Sequence, residues 1–174
     1  MLQEDLVTSA LLIASEEGNL TGLDELTAIH RVNLNAANQL GETAMHISAG
    51  AGQIEIVNYL QMKGASLESG DKRGDTPLFW AARHGHGQVV RYLCEEGVEV
   101  NARNKGGETA LHVATRYAQM DVVVILLEKG GDIDVQDEHG ETPLHIASWH
   151  GYALVLSVLC RYRPELLLQN RVSH

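Results

Sequence analysis

Gly41, Gly74, Gly107 and Gly140 stand 33 residues apart, and each belongs to a near-copy of one phrase: GETAMHISA, GDTPLFWAA, GGETALHVAT (opening at Gly106) and GETPLHIAS. A chain with this internal period is not expected to close into one globule. Each unit of a repeat array buries its apolar faces against its neighbours, so burial spreads along a stack. Residues 1–174 are therefore read as one elongated domain, suited to a binding surface more than to a catalytic pocket.

In register, full repeats run over 38–70, 71–103, 104–136 and 137–169, opening NQLGETAMH, DKRGDTPLF, NKGGETALH and DEHGETPLH. Each continues into a short Ala-rich segment, a glycine or its substitute, an apolar run and another turn. Asn or Asp three places before Gly sets a turn, and Thr43, Thr76, Thr109 and Thr142 are placed to cap the helix that follows. Pro77 and Pro143 suit its first turn. His46, His112 and His145 recur where an imidazole links that helix to neighbouring turn backbone, and Phe79 fills the same place without the polar function. Their period argues for structural histidines, since metal or catalytic use needs a convergence that a linear stack spaces apart. Gly52, Gly85 and Gly151 follow the first helix at equal spacing, while Ala118 stands in the third equivalent place and predicts local strain or a slightly altered turn there. The second helices read IEIVNYL, GQVVRYL, MDVVVILL and ALVLSVL; Gly64, Gly97 and Gly130 stop them, and Leu67, Val100 and Ile133 anchor the return segment.

The ends depart from this pattern. Residues 6–37 read as a diverged N-terminal repeat or cap whose opening turn is missing. At the other end, RYRPELLLQNRVSH puts Arg163-Pro164 in place of the expected turn and enters a new opening at Asn170, so 170–174 is the start of a truncated repeat or a tail. Leu156, Leu159, Leu166 and Leu168 then lack a neighbour, which predicts a fragment of a longer protein. A monomer is expected, with end-to-end association through the open C-terminal face as the alternative.

Composition narrows the function classes. Hydrophobic residues make up 44% of the chain and aromatics 5%, as befits small helices packed through Ala, Val and Leu. Thirteen Lys and Arg against 23 Asp and Glu leave a net charge of -10, unfavourable for nucleic acid or an anionic membrane and better suited to a protein partner with a basic face. Cys94 and Cys160 end matching apolar runs and read as buried free thiols. No apolar run approaches membrane-spanning length, and the chain reads as cytoplasmic. No nucleotide loop, metal-ligand cluster or nucleophile constellation is present, so neither a cofactor nor catalysis is expected.

The order of turn, helix, helix in these units resembles ankyrin repeats, over about residues 6–170. More narrowly, WAARHGH at 80–86, ALHVATRY at 110–117 and ETPLHIASWHGY at 141–152 resemble successive repeats in the ankyrin region of death-associated protein kinases, with Ala118-Gln119 departing where a Gly-His pair is expected. The resemblance implies an all-α solenoid of stacked helix-turn-helix units with short β-turn or hairpin tips. It also implies a concave surface made by the tips and the exposed sides of the first helices. Repeat arithmetic puts Gln39, Leu40 and Glu42, Lys72, Arg73 and Asp75, Lys105, Gly106 and Glu108, and Glu138, His139 and Glu141 at the tips. Gly50 and Ala51, Arg83 and His84, Arg116 and Tyr117, and Trp149 and His150 fall on the first helices. The expected contacts are Arg73, Arg83, His84, Arg116, Tyr117, His139, Trp149 and His150, with the arginines meeting an acidic or phosphorylated segment and Trp149 taking an apolar group or a cation. The plainer alternative is that the arginines pair with acidic tips and the aromatics pad helix packing. The implied function is non-catalytic recognition of a protein or peptide in a regulatory or scaffold part of a larger signalling protein. An intramolecular regulatory spacer of a kinase-type protein, contacting another domain of its own chain, is the alternative, and a nucleic-acid-binding module the weakest one.

Overall fold

A computed structural model describes residues 2–29 and 32–162. Its helices come in pairs: α1 (Leu2–Glu17) with α2 (Leu20–Ile29), α3 (Ala44–Gly50) with α4 (Ile54–Met62), α5 (Pro77–His84) with α6 (Gly87–Glu95), α7 (Ala110–Arg116) with α8 (Met120–Glu128), and α9 (Pro143–Trp149) with α10 (Ala153–Tyr162). The first helices α1, α3, α5, α7 and α9 touch in succession, as do the second helices α2, α4, α6, α8 and α10. Among the described residues there is no named strand, only the isolated bridge between Ala37 and Thr43. The proposed C-terminal features at Arg163-Pro164, Leu166, Leu168 and Asn170 lie outside the described residues, as does the segment 170–174.

Why each tip forms is visible in its first residue. The Oδ1 atoms of Asn38, Asp71, Asn104 and Asp137 each accept from two backbone N–H groups, two and four residues on, at 2.8–3.1 Å. This side-chain cradle replaces the partners that a short loop cannot supply from its own backbone. At Asp137, burial works to raise the carboxyl pKa, yet the N–H groups of Glu141 and His139 and the nearby His112 and His139 outweigh it and hold the group below its usual range.

Each tip then delivers a Thr to the start of the first helix. Thr43, Thr76, Thr109 and Thr142 take extended backbone at the N-caps, and Pro77 and Pro143 follow at the first helical positions. His46 Nδ1 accepts from the Thr43 N–H at 3.2 Å while its Nε2–H donates to the Asp75 carbonyl at 3.0 Å; His112 repeats this with Thr109 at 3.1 Å and Glu141 at 3.1 Å. The expected link from imidazole to neighbouring turn is present at both. At His145 the Thr142 half of the arrangement is present.

Three further sets of hydrogen bonds join the repeats. Backbone N–H groups of Lys72, Lys105 and Glu138 donate to the carbonyls of Leu40, Arg73 and Gly106, stitching tip to tip. In the return segments the N–H groups of Ser66, Glu99 and Asp132 reach side-chain oxygens of Asn35, Glu68 and Asn101, each at 2.8 Å. Between helices, Gln53, His86, Gln119 and Tyr152 extend back to the carbonyls of Glu16, Gly50, Arg83 and Arg116. Gln119, where a histidine was expected, therefore performs the same task through its amide.

Gly85 closes α5 at φ 78°, and an added Cβ would lie 2.3 Å from Gln119 Oε1. Ala118, the equivalent residue after α7, holds φ 53° and is the one non-glycine with positive φ among the described residues. The strain expected at this alanine is present. Ala118→Gly relieves the Cβ clash at the cost of unfolded-state entropy, a net stabilisation of about 0.5–1 kcal/mol that a denaturation midpoint will register.

The core runs without a break between the two helix rows, through the fully buried Leu11, Leu23, Met45, Ile56, Leu60, Leu78, Phe79, Leu93, Leu111, Leu126 and Leu159. Leu159, expected to lack a neighbour, is in fact buried, with Leu156 packed partly against the same core. Leu67, Val100 and Ile133 pack against it from the return segments. The two cysteines are free but half-buried rather than buried, and burial pushes the Cys94 thiol up to about 11, which leaves it unreactive near neutrality.

His46 and His112 are wholly buried, and that burial holds both imidazoles below the usual histidine range despite nearby carbonyls and carboxylates. In a neutral ring Nδ1 is the acceptor its Thr N–H requires; protonation would set two donors face to face. Because the folded pKa lies below the unfolded value of about 6.5, the contribution to stability is full above that pH and is lost as pH falls toward the folded value. The melting temperature should drop between pH 7 and pH 5, and the drop should be smaller in a His46→Gln, His112→Gln variant.

Candidate functional site

The tips and the last turns of the first helices form one side of the stack, and the period decides what is offered there. Four acidic residues recur just before the cap, Glu42, Asp75, Glu108 and Glu141; eight residues later come Gly50, Arg83, Arg116 and Trp149. In the second and third repeats these two places bond to each other. Arg83 Nη2 lies 2.7 Å from Asp75 Oδ2, and Arg116 Nη1 bonds Glu108 Oε1. Asn104 joins the two pairs, its Nδ2 donating to Asp75 Oδ1 at 2.7 Å and to Glu108 Oε2 at 3.1 Å. Asp75, Asn104 and Glu108 are buried. A charge-bearing strut of five side chains thus runs beneath the surface across two repeats.

This corrects part of the sequence-derived site. Asp75 and Glu108 are internal anchors, not open tip positions, because their arginines fold over them. Arg83 and Arg116 have side chains only 19% and 34% exposed and bring their charge to the wall already matched. An incoming phosphate would have to compete with a buried carboxylate for either one. Arg73 differs: its side chain is exposed and its Nε lies 3.8 Å from Asp75, at the outer limit of an ion pair. Beside it the Lys105 Nζ–H donates to the Lys72 carbonyl at 2.9 Å, and Arg103 donates to the Gln136 carbonyl. Among the described residues of this wall, the most open cations, Lys72, Arg73 and Lys105, are therefore at the tips of the second and third repeats.

The aromatics divide as well. Trp80 is half-buried: its Nε1–H donates to Asp71 Oδ2 at 3.2 Å, its ring meets His46 edge-on at 5.9 Å, and it covers Gly50, where an added Cβ would come within 2.8 Å of Cε3. It fills the N-terminal part of the wall and explains the glycine there. Tyr117 is 52% exposed, with the Arg83 guanidinium 6.0 Å from its ring centre. Trp149 is 85% exposed at the end of α9. His84 is exposed with Nδ1 2.9 Å from the Trp80 carbonyl, His139 is exposed at its tip, and exposed His150 stacks on Tyr152 at 5.2 Å and 11°. His86 and Gln119, which hold the helices in line behind this wall, were not among the sequence-derived site residues, though their 33-residue spacing carried the signal.

Among the described residues no group of His, Cys, Asp and Glu is arranged to hold a metal ion, and no helix is long and apolar enough to cross a membrane. The geometry is that of a helical repeat stack with one polar, aromatic-bearing wall. A family model described as ankyrin repeats (3 copies) matches residues 11–104 and 98–170, and the chain belongs to the ankyrin-repeat family. Ankyrin repeats are in general protein-interaction modules and are typically non-catalytic. The chain is also similar to the death-associated protein kinase dapk-1 of Caenorhabditis elegans, 40% identical over 74 residues that span 37% of this chain and 5% of the kinase.

Proposed function

We propose that this chain recognises a protein segment on the concave wall formed by its tips and first helices, as a non-catalytic regulatory or scaffold part of a cytoplasmic signalling protein. The observation that carries the reading is the pair Tyr117 and Trp149, large aromatic side chains left in solvent at the ends of neighbouring first helices α7 and α9. A tryptophan exposed to 85% on a helix that has an apolar core to bury against serves no packing purpose. Aromatic residues of this kind dominate interface energetics because they bury large area at small entropic cost. Arg73, Lys72 and Lys105 at the tips supply the charged rim, and the matched Arg83 and Arg116 stiffen the wall between.

The test is capture of partners with the intact chain and with a Tyr117→Ala, Trp149→Ala variant, alongside Leu154→Ala as a control on an exposed leucine of α10. Both substitutions fall on exposed residues, so thermal unfolding should be unchanged. Affinity for a partner should fall at least about tenfold in the aromatic variant and stay unchanged in the control. Equal recovery by all three proteins would overturn the reading. A second reading, regulation within a kinase-type chain, draws on the kinase relative; it predicts that the partner captured is another domain of the same polypeptide.

A further inference from the structure

We propose that the fourth repeat holds an arginine side chain supplied by the protein partner, between the Glu141 carboxylate and the ring of Trp149; this rests on the concave-wall reading above. The second and third repeats show what the place is built to contain. Each has an acid before the cap and an arginine eight residues on, bonded together: Asp75 with Arg83, Glu108 with Arg116. In the fourth repeat the acid is kept as Glu141, but Trp149 stands where the arginine would be.

Glu141 is held in place by its backbone: its N–H donates to Asp137 Oδ1 at 2.9 Å, and its carbonyl accepts from the Asp137 N–H and from His112 Nε2. Its carboxylate has no hydrogen bond or ion pair among the described residues. The first repeat also lacks the arginine, yet there Asn38 Nδ2 donates to Glu42 Oε2 at 2.6 Å and Trp80 covers Gly50. Asp137 occupies the place of Asn38, and its side chain has no N–H to give the carboxylate of its glutamate. Of the four equivalent acids, Glu141 alone among the described residues is left without a donor to its carboxylate.

The rest of the place favours the same ligand. Trp149 offers an open ring face, and Glu138 adds a second exposed carboxylate at the tip. Arg116, one repeat back along the wall, is already bonded to Glu108, Arg103 donates to the Gln136 carbonyl, and His145 Nδ1 accepts from the Thr142 N–H. The protein itself shows a guanidinium bound in this manner: Arg83 lies against a carboxylate at 2.7 Å and a tyrosine ring at 6.0 Å. A planar guanidinium meets both, bonding the carboxylate at its edge and the indole at its face.

Two tryptophans give the chain two indole N–H resonances, and the one lost in Trp149→Phe belongs to Trp149. The probe is a blocked Gly/Ser peptide with one central arginine, compared with the same peptide carrying citrulline, which keeps the shape and removes the charge. The arginine peptide should shift the Trp149 indole and the Glu141 amide with an affinity about tenfold above that of the citrulline peptide, and Glu141→Gln should remove that advantage. Trp149→Arg should fill the place from within and abolish the Glu141 response to the peptide. Equal responses to arginine and citrulline, or an arginine preference that survives Glu141→Gln or Trp149→Arg, would overturn the proposal. Either result leaves the concave-wall reading to be judged by the capture experiment, which does not depend on which residue the partner inserts.

Discussion

Asp75→Ala is expected to cost about 3 kcal/mol, although it removes only a small side chain from a position the sequence places at a loop tip. Asp75 has no solvent exposure and is the meeting point of Arg83 at 2.7 Å, Asn104 at 2.7 Å and, more distantly, Arg73. Taking it away leaves a guanidinium and an amide facing a gap, and Arg83 Nε already has no hydrogen-bond partner. Breaking a buried pair is far more costly than replacing both members, because the surviving charge stays desolvated. The companion measurement is therefore the Asp75→Ala, Arg83→Leu double variant in the same denaturation series. It should recover at least about half of the loss, a coupling that two independent surface groups would not give.

Phe79→Ala is the other large effect, about 3–5 kcal/mol. Phe79 is the largest of the fully buried side chains and sits at the place that His46 and His112 occupy in the repeats on either side. Those imidazoles stabilise through hydrogen bonds to the next tip, whereas Phe79 does so by packing alone. Phe79→His should consequently cost less than half as much as Phe79→Ala, since the ring is largely replaced and Nε2 can reach the Glu108 carbonyl as its counterparts reach those of Asp75 and Glu141. Chemical denaturation of the two variants side by side checks the ordering; equal losses would mean that the place takes no histidine in this repeat.

The fold was legible in the chain because a 33-residue period repeats every local signal four times. The Thr caps, the Asn or Asp cradles and the glycine stops are each short-range, and the strained φ at Ala118 followed from one departure in an otherwise regular column. The linking histidines were legible for the same reason. Inter-repeat hydrogen bonds from Gln53, His86, Gln119 and Tyr152 were harder, since three residue types, Gln, His and Tyr, perform one task and no single type fills the column. The wall was legible in position but not in electrostatics. That Arg83 and Arg116 point to the same side as the tips follows from repeat spacing; that they close over Asp75 and Glu108 depends on side-chain reach across eight residues. The reserve of charge consequently moves from the helices to Lys72, Arg73 and Lys105. The unmatched Glu141 emerges only when each acid is compared with the residue eight places on.

Hydrogen exchange of the backbone, measured with and without a captured partner, tests the central claim most directly. The concave-wall account predicts protection at the tips 105–108 and 138–141 and at the ends of α7 and α9, around Tyr117 and Trp149, with the outer helices α6, α8 and α10 unchanged. Protection confined to α6, α8 and α10, with the tips and first helices exchanging as in the free chain, would contradict it.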